Sequence, residues 1–272
     1  MSVLRIDMDN PSDVAILTEH IGVGEPQVIP RRFRYGDSVA IGKGIIPVES
    51  VPDILVPKDS YKEVLARCWA EKSLPIHHMY SSWCPPGTRW YQNGLKYCWT
   101  WSGTACQMTV EAAEGKPCVQ LAPVSMGWLV NWRNAGYFLD EFLQGSRDKG
   151  VAPAEYIPNS LSTDYRKYKP GWDTERAKHR MKTAWDTNPK AGDDVMTQHC
   201  LSILCYGRPL HGAWIHLGHA MAIKAMRFEE GVYQNLVWII RNSHNEEDVI
   251  EMTGKNAVPD EAIGYIDTEL TE

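Results

Sequence analysis

The stretch Gln92-Asn93-Gly94-Leu95-Lys96-Tyr97-Cys98-Trp99-Thr100-Trp101-Ser102 constrains this chain more than any other. A turn around Gly94 runs into a Cys-Trp pair, and no proline follows until Pro117. Cys98 therefore stands at or near a helix N-terminus, where unpaired amides and the positive end of the helix dipole favour a thiolate over a thiol. A helix from Cys98 to about Glu114, closed by Gly115 and Pro117, is predicted. Cys98, Trp101, Ala105, Met108 and Ala112 share one of its faces, and Trp99, Cys106 and Val110 widen the apolar surface. A helix apolar over most of its circumference is a buried one.

A thiol at a helix start is weak by itself, because in a chain with seven cysteines a buried, inert one is the commoner reading. Its company changes the weighing. Gln92, six residues upstream, carries an amide able to donate to a developing oxyanion together with the Cys98 backbone N–H. Far downstream come His219, in Leu217-Gly218-His219-Ala220-Met221, and Asn242, in Ile239-Ile240-Arg241-Asn242-Ser243. A nucleophile, a base and a group to orient the base thus follow in the order Cys, His, Asn. His216, three residues before His219, is the rival base; a lone strand histidine facing a core is more often structural, as an Asn after an apolar strand is more often a turn former.

On Gln92, Cys98-Trp99, His219-Ala220 and Asn242-Ser243 the sequence resembles the papain-like cysteine peptidases. His219 and Asn242 lie about 120 and about 145 residues after Cys98, at or just below the span of roughly 130–150 expected for that family. Leu121-Ala122-Pro123, Asn134-Ala135-Gly136 and Tyr156-Ile157-Pro158 fall where the family has comparable stretches, so the likeness covers roughly residues 81–243. It implies an α+β, two-lobed papain-like fold: a helical lobe whose central helix starts at Cys98, a β-rich barrel-like lobe, and an N-terminal extension. It also implies a peptide or protein substrate, hydrolysed through Cys98, His219 and Asn242 with Gln92 at the oxyanion. Trp99, Asn134, Ala135, Gly136 and Gly218 would contact the substrate. The thiol pKa would fall to roughly 3.5–7.5 under the helix end and the imidazolium.

The chain departs from the family pattern at four places. Leu95 and Arg133 replace half-cystines, His244-Asn245 replaces a shielding Trp-Gly, and Tyr97 replaces a small residue and is expected to crowd the thiol. These departures, with an upstream segment lacking a long amphipathic helical pattern, support a second reading: a weak or inactive papain-like fold serving as a structural subunit of a virion or other assembly, gripping partner proteins through its N-terminal arm.

Composition excludes several classes. A net charge of −6 and a pI near 5.9 argue against nonspecific nucleic-acid binding. No apolar run reaches the 18 or more residues of a membrane helix, and Asp7 and Asp9 stand where a signal peptide needs its apolar core. A cytoplasmic location with reduced thiols is expected. No cofactor is expected, and no metal: His77, His78 and Cys84 lack the spacing of a closed zinc site. Gly22-Val23-Gly24 is too short for a nucleotide fingerprint, and Arg31-Arg32-Phe33-Arg34 reads as a solvated face.

Residues 1–80 read as an arm rich in turns, with short strands around 38–41 and 45–48 and one helix, from a cap at Asp59 or Ser60 to Glu71. The helical lobe is assigned to about 81–159, with a second helix over Tyr137–Arg147. A crossing segment follows over 160–186. The β-rich lobe takes 187–258, with a helix from Asp193 and strands over Ala213–Leu217, His219–Phe228 and Leu236–Arg241. Residues 259–272 read as an acidic tail on the surface.

Overall fold

A computed structural model describes residues 3–21, 45–47, 50–78, 92, 94–117, 119–159, 161–187, 192–242 and 249–269. In chain order its elements are β1 (Leu4–Asp7), α1 (Pro11–His20), β2 (Ile45–Pro47), α2 (Tyr61–Glu71), α3 (Cys98–Ala113), α4 (Leu139–Lys149), α5 (Trp172–Glu175), β3 (Met181–Asp186), α6 (Asp193–Cys205), β4 (Leu210–Trp214), β5 (His219–Phe228), β6 (Leu236–Arg241), β7 (Val249–Thr253) and β8 (Glu261–Thr268). The strands form one sheet in the order β1-β7-β6-β5-β4-β8-β3-β2. The two edge strands pair in parallel, β1 with β7 and β2 with β3. Every other pairing is antiparallel.

Alternation along the strands feeds two cores, one on each face. Met221, Ile223, Trp238 and Ile240 pack with Leu17 of α1, Leu65 of α2 and Ile203 and Leu204 of α6. Ala220, Ala222, Ile263 and Tyr265 pack with Trp101, Ala105 and Met108 of α3 and with Phe142 and Leu143 of α4. Two glycines set how closely these layers approach. A Cβ on Gly103 would stand 2.5 Å from the Phe142 ring, where α3 meets α4, and one on Gly264 would stand 2.8 Å from Ile203, where α6 lies on β8.

Helices α2, α3 and α6 and strands β5 and β6 fall where the sequence places them, while other segments differ. The N-terminal arm was expected to hold one helix, and its described residues hold two. Asn10-Pro11 fits the turn-rich reading of the arm, but the Asn10 side chain accepts from Ser12 N–H and Pro11 occupies the first turn of α1, which is equally a helix start. The expected acidic tail is β8, an interior strand. Its charges at Asp260, Glu261, Asp267 and Glu269 flank a core-facing Ala262-Ile263-Gly264-Tyr265 whose members are nearly solvent-free. The crossing segment contains β3, the strand assigned to Ala213–Leu217 is β4 followed by a 3-10 turn over Ile215–Leu217, and Ser60 makes no side-chain cap bond. The 22–24, 31–34 and 38–41 readings, with Cys84, Ser243, His244 and Asn245, lie outside the described residues. Among the described residues no helix is long and apolar enough to cross a membrane, and no group of three or more His, Cys, Asp or Glu is placed to hold a metal ion.

The core carries a titratable group of its own. His211 on β4 has no solvent exposure; its Nδ1 lies 3.1 Å from the Tyr265 hydroxyl, and burial pushes its pKa down to about 3. The unfolded chain takes a proton there near pH 6.5, whereas the folded chain refuses it until about pH 3. Stability therefore falls as pH drops through that window, by on the order of 5 kcal/mol. His211→Gln, which keeps a partner for Tyr265 and does not titrate, is expected to move acid unfolding, followed by circular dichroism, to lower pH.

Candidate active site

Helix α3 starts at Cys98 because the chain closes a tight turn just before it. Gly94 has φ of +79°, a region glycine enters without a Cβ clash. Across this turn Leu95 N–H donates to Gln92 O at 2.9 Å, and Gln92 Nε2 donates to Leu95 O at 2.8 Å. The loop 133–135 is fastened to the same turn. Asn134 Oδ1 accepts from Lys96 N–H at 2.5 Å and its Nδ2 donates to Gly94 O at 3.3 Å. Tyr97 OH donates to Arg133 O at 2.9 Å and Trp99 Nε1 to Ala135 O at 3.2 Å. The Asn134 side chain thus works as a fastener, while Gly136 beyond it is exposed and a Cβ there would meet nothing within 4 Å.

Tyr97 does not behave as its bulk suggested. Its ring is fully buried in the core shared by α3 and α4, 5.7 Å from the Trp99 ring, and its hydroxyl is spent on Arg133 O. It is directed into the lobe interior.

His219 opens β5 opposite Trp214. Gly218, left-handed at φ of +59°, ends the 3-10 turn Ile215–Leu217 and swings the chain into the strand; a Cβ on it would face open space. His219 Nε2 lies 2.9 Å from Asn242 Oδ1, and both residues are buried. A carboxamide oxygen only accepts, so Nε2 carries the hydrogen and Nδ1 the lone pair. The rival His216 sits on the turn with Nδ1 3.6 Å from Asp260 Oδ2. It is therefore His219, not His216, that meets Asn242.

The Cys98 sulfur lies against the N–H groups of Ala220, Trp99 and Cys98 itself. Ala220 directly follows His219, so the thiol faces the start of the histidine's own strand. The residue keeps partial exposure, but its sulfur is enclosed by protein, and the expected lowering of the thiol pKa is reversed. Burial pushes it above its ordinary value, and the three amides pull against that without prevailing. A helix end favours a thiolate only while the thiolate keeps its solvation. Burial also raises Cys106, to about 11, and raises Cys200 and Cys205; the five described cysteines are unbridged.

Three features near the site escaped the sequence reading. Tyr137 and Phe138 were placed in the first turn of the second helix, yet α4 starts only at Leu139 and both rings are exposed, with Tyr137 5.5 Å from Trp99. The Asn-Ala-Gly turn before them was the signal that the helix had not begun. Glu261 was read as tail, yet it opens β8 in the row Glu261–Ala213–Ala220 across the sheet. Burial first, then Asp140, Asp186 and Asp260, push its carboxyl up to about 7.

No protein-family model matches the chain, and no curated protein sequence matches it. Solved structures do. Digestive procathepsin L 3 of the Tenebrio molitor larval midgut superposes with a TM-score of 0.52 at 14% identity, over 66% of this chain and 66% of that one. The proform of the Amb a 11 cysteine protease, a major ragweed pollen allergen, gives 0.50 at 13% identity, over 74% and 66%. The chain spans about two thirds of the length of either neighbour. With its central helix laid across an eight-stranded sheet, the chain has the papain-like cysteine protease fold.

Proposed function

We propose that the chain is a cysteine-type peptidase or related amide hydrolase, with Cys98 as nucleophile, His219 as base and Asn242 as the residue that orients the base. The observation that carries this reading is the 2.9 Å contact between His219 Nε2 and Asn242 Oδ1, made beside the residue whose amide reaches the Cys98 sulfur. It fixes the tautomer in which Nδ1 is the basic nitrogen. Burial disfavours a lone thiolate, but proton transfer from Cys98 to His219 creates both charges at once, and their attraction at short range offsets the desolvation. The thiolate then attacks an amide carbonyl, and the Cys98 N–H with the Gln92 side-chain amide holds the oxyanion. His219 protonates the leaving amine, and water, deprotonated by the same imidazole, releases the acyl group as a carboxylic acid. On this reading Gly136 and Gly218, where a Cβ would meet nothing within 4 Å, would border the substrate, and the buried Trp99 would back the site from within the core.

Alkylation of each cysteine by a small haloacetamide at about pH 5.5, read by mass spectrometry, tests this. An ordinary thiol is almost wholly protonated there and nearly inert. Cys98 is expected to react far faster than Cys68, Cys106, Cys200 and Cys205, and His219→Ala to abolish the difference. Equal, slow reaction at all five would sink the reading and favour a structural subunit.

A further inference from the structure

Helix α3 and strand β5 are joined at a point no part of the proposed chemistry uses. On β5, five residues beyond His219, stands Lys224, 1% exposed in the middle of the sheet. Its ammonium donates to Ala105 O at 2.9 Å and to Thr109 Oγ1 at 2.6 Å, and both acceptors lie on α3, the helix that begins at Cys98. Thr109 Oγ1 itself donates to Ala105 O at 2.7 Å, so the three groups close a small ring of hydrogen bonds within an otherwise apolar seam.

The same residue interrupts the sheet. Ala222 and Ile223 pair with Arg241 and Ile240, while Ala225 and Met226 pair with Ile239 and Trp238. Lys224 is the extra residue between the two registers, a β-bulge that puts the two halves of the β5–β6 pair one residue out of step. A one-residue slip turns every side chain to the opposite face. The bulge therefore decides which face Asn242, the residue after β6, presents to His219.

We infer that Lys224 is a positioning residue: by holding the β5 bulge to Ala105 and Thr109 of α3, it sets the register at which Asn242 meets His219 and fixes both against Cys98. This rests on the peptidase reading for its consequence and on the sheet register for its geometry. A cation in this place is costly. Burial pulls the Lys224 pKa down to about 8, with Arg241 adding repulsion and Cys106 opposing it. A charge kept buried at such a cost is poorly explained by stability alone.

Lys224→Met separates the roles, because Thr109 keeps its own acceptor and no orphaned donor is left behind. The melting temperature of this variant is expected to hold or rise, while the rate of Cys98 alkylation at about pH 5.5 falls at least tenfold and its pH profile moves toward that of an ordinary thiol. Lys224→Arg, which retains the donors, is expected to recover part of that rate. A second readout needs no reactivity. The ¹⁵N shifts of the His219 ring are expected to show a hydrogen-bonded Nε2–H in the parent and its loss in Lys224→Met. Identical alkylation profiles and ring shifts in parent and variant overturn the inference, as does loss of melting temperature in step with loss of reactivity. If the parent thiol is inert, the peptidase reading fails, and the ring shifts alone decide whether Lys224 sets the His219–Asn242 contact.

Discussion

Removal of residues 1–47 is expected to leave a chain that no longer folds as a soluble monomer. That segment supplies both edges of the sheet, β1 beside β7 and β2 beside β3. Its loss strips the outer hydrogen-bonding rows of β7 and β3 and leaves them open to pairing with other chains. It also removes Ile6, Met8, Leu17, Ile21 and Ile45, each at most 5% exposed. At roughly 1.5–3 kcal/mol per buried side chain this is on the order of 10 kcal/mol, as large as the whole stability of an ordinary domain. Size-exclusion chromatography and thermal melting of the shortened chain measure the effect. A monomer that melts as the full chain does would mean that the N-terminal segment is a detachable piece, not part of the fold.

The second large effect concerns the proposed chemistry. Against a library of fluorogenic peptide amides, Cys98→Ala is expected to abolish hydrolysis and His219→Ala to reduce kcat/KM by roughly 10³-fold or more. The double variant should be little worse than either alone, because the two act as one unit. Asn242→Ala leaves the imidazole in place but frees its rotation and tautomer, so a smaller loss, roughly tenfold to a hundredfold, is expected, mostly in kcat. All three must melt near the parent temperature for the comparison to hold. Hydrolysis that survives Cys98→Ala would assign the nucleophile elsewhere.

Much of this site was legible in the sequence because its signals are local. Gly94 before the turn, Cys98 at the head of a proline-free apolar run, and Gly218 before His219 each encode a backbone event within a few residues. The meeting of His219 and Asn242 followed from a likeness of spacing, and the structure brings them to 2.9 Å. What was not legible depends on packing between distant segments. The direction of the Tyr97 ring is decided by Arg133 O, thirty-six positions away. The rise of the Cys98 pKa comes from burial of its sulfur, which no local pattern reports. The β8 strand was hidden because its acids sit at its ends while its apolar middle is short, so charge outweighed alternation. Lys224 is the sharpest case. A lysine within an apolar strand reads as a surface residue, and only the register of β6 against β5 shows it as a bulge tied into α3.

Strand β5 has three strands on one side of it and four on the other. Opening of a sheet begins at its margins and reaches the middle last, so the backbone amides of β5 should be among the slowest in the molecule to exchange with deuterium and those of the three-residue β2 among the fastest. The histidine is therefore carried on the segment that thermal fluctuation disturbs least. Low concentrations of denaturant that already release β2 should leave the reactivity of Cys98 intact, and any change in that reactivity should coincide with global unfolding rather than precede it.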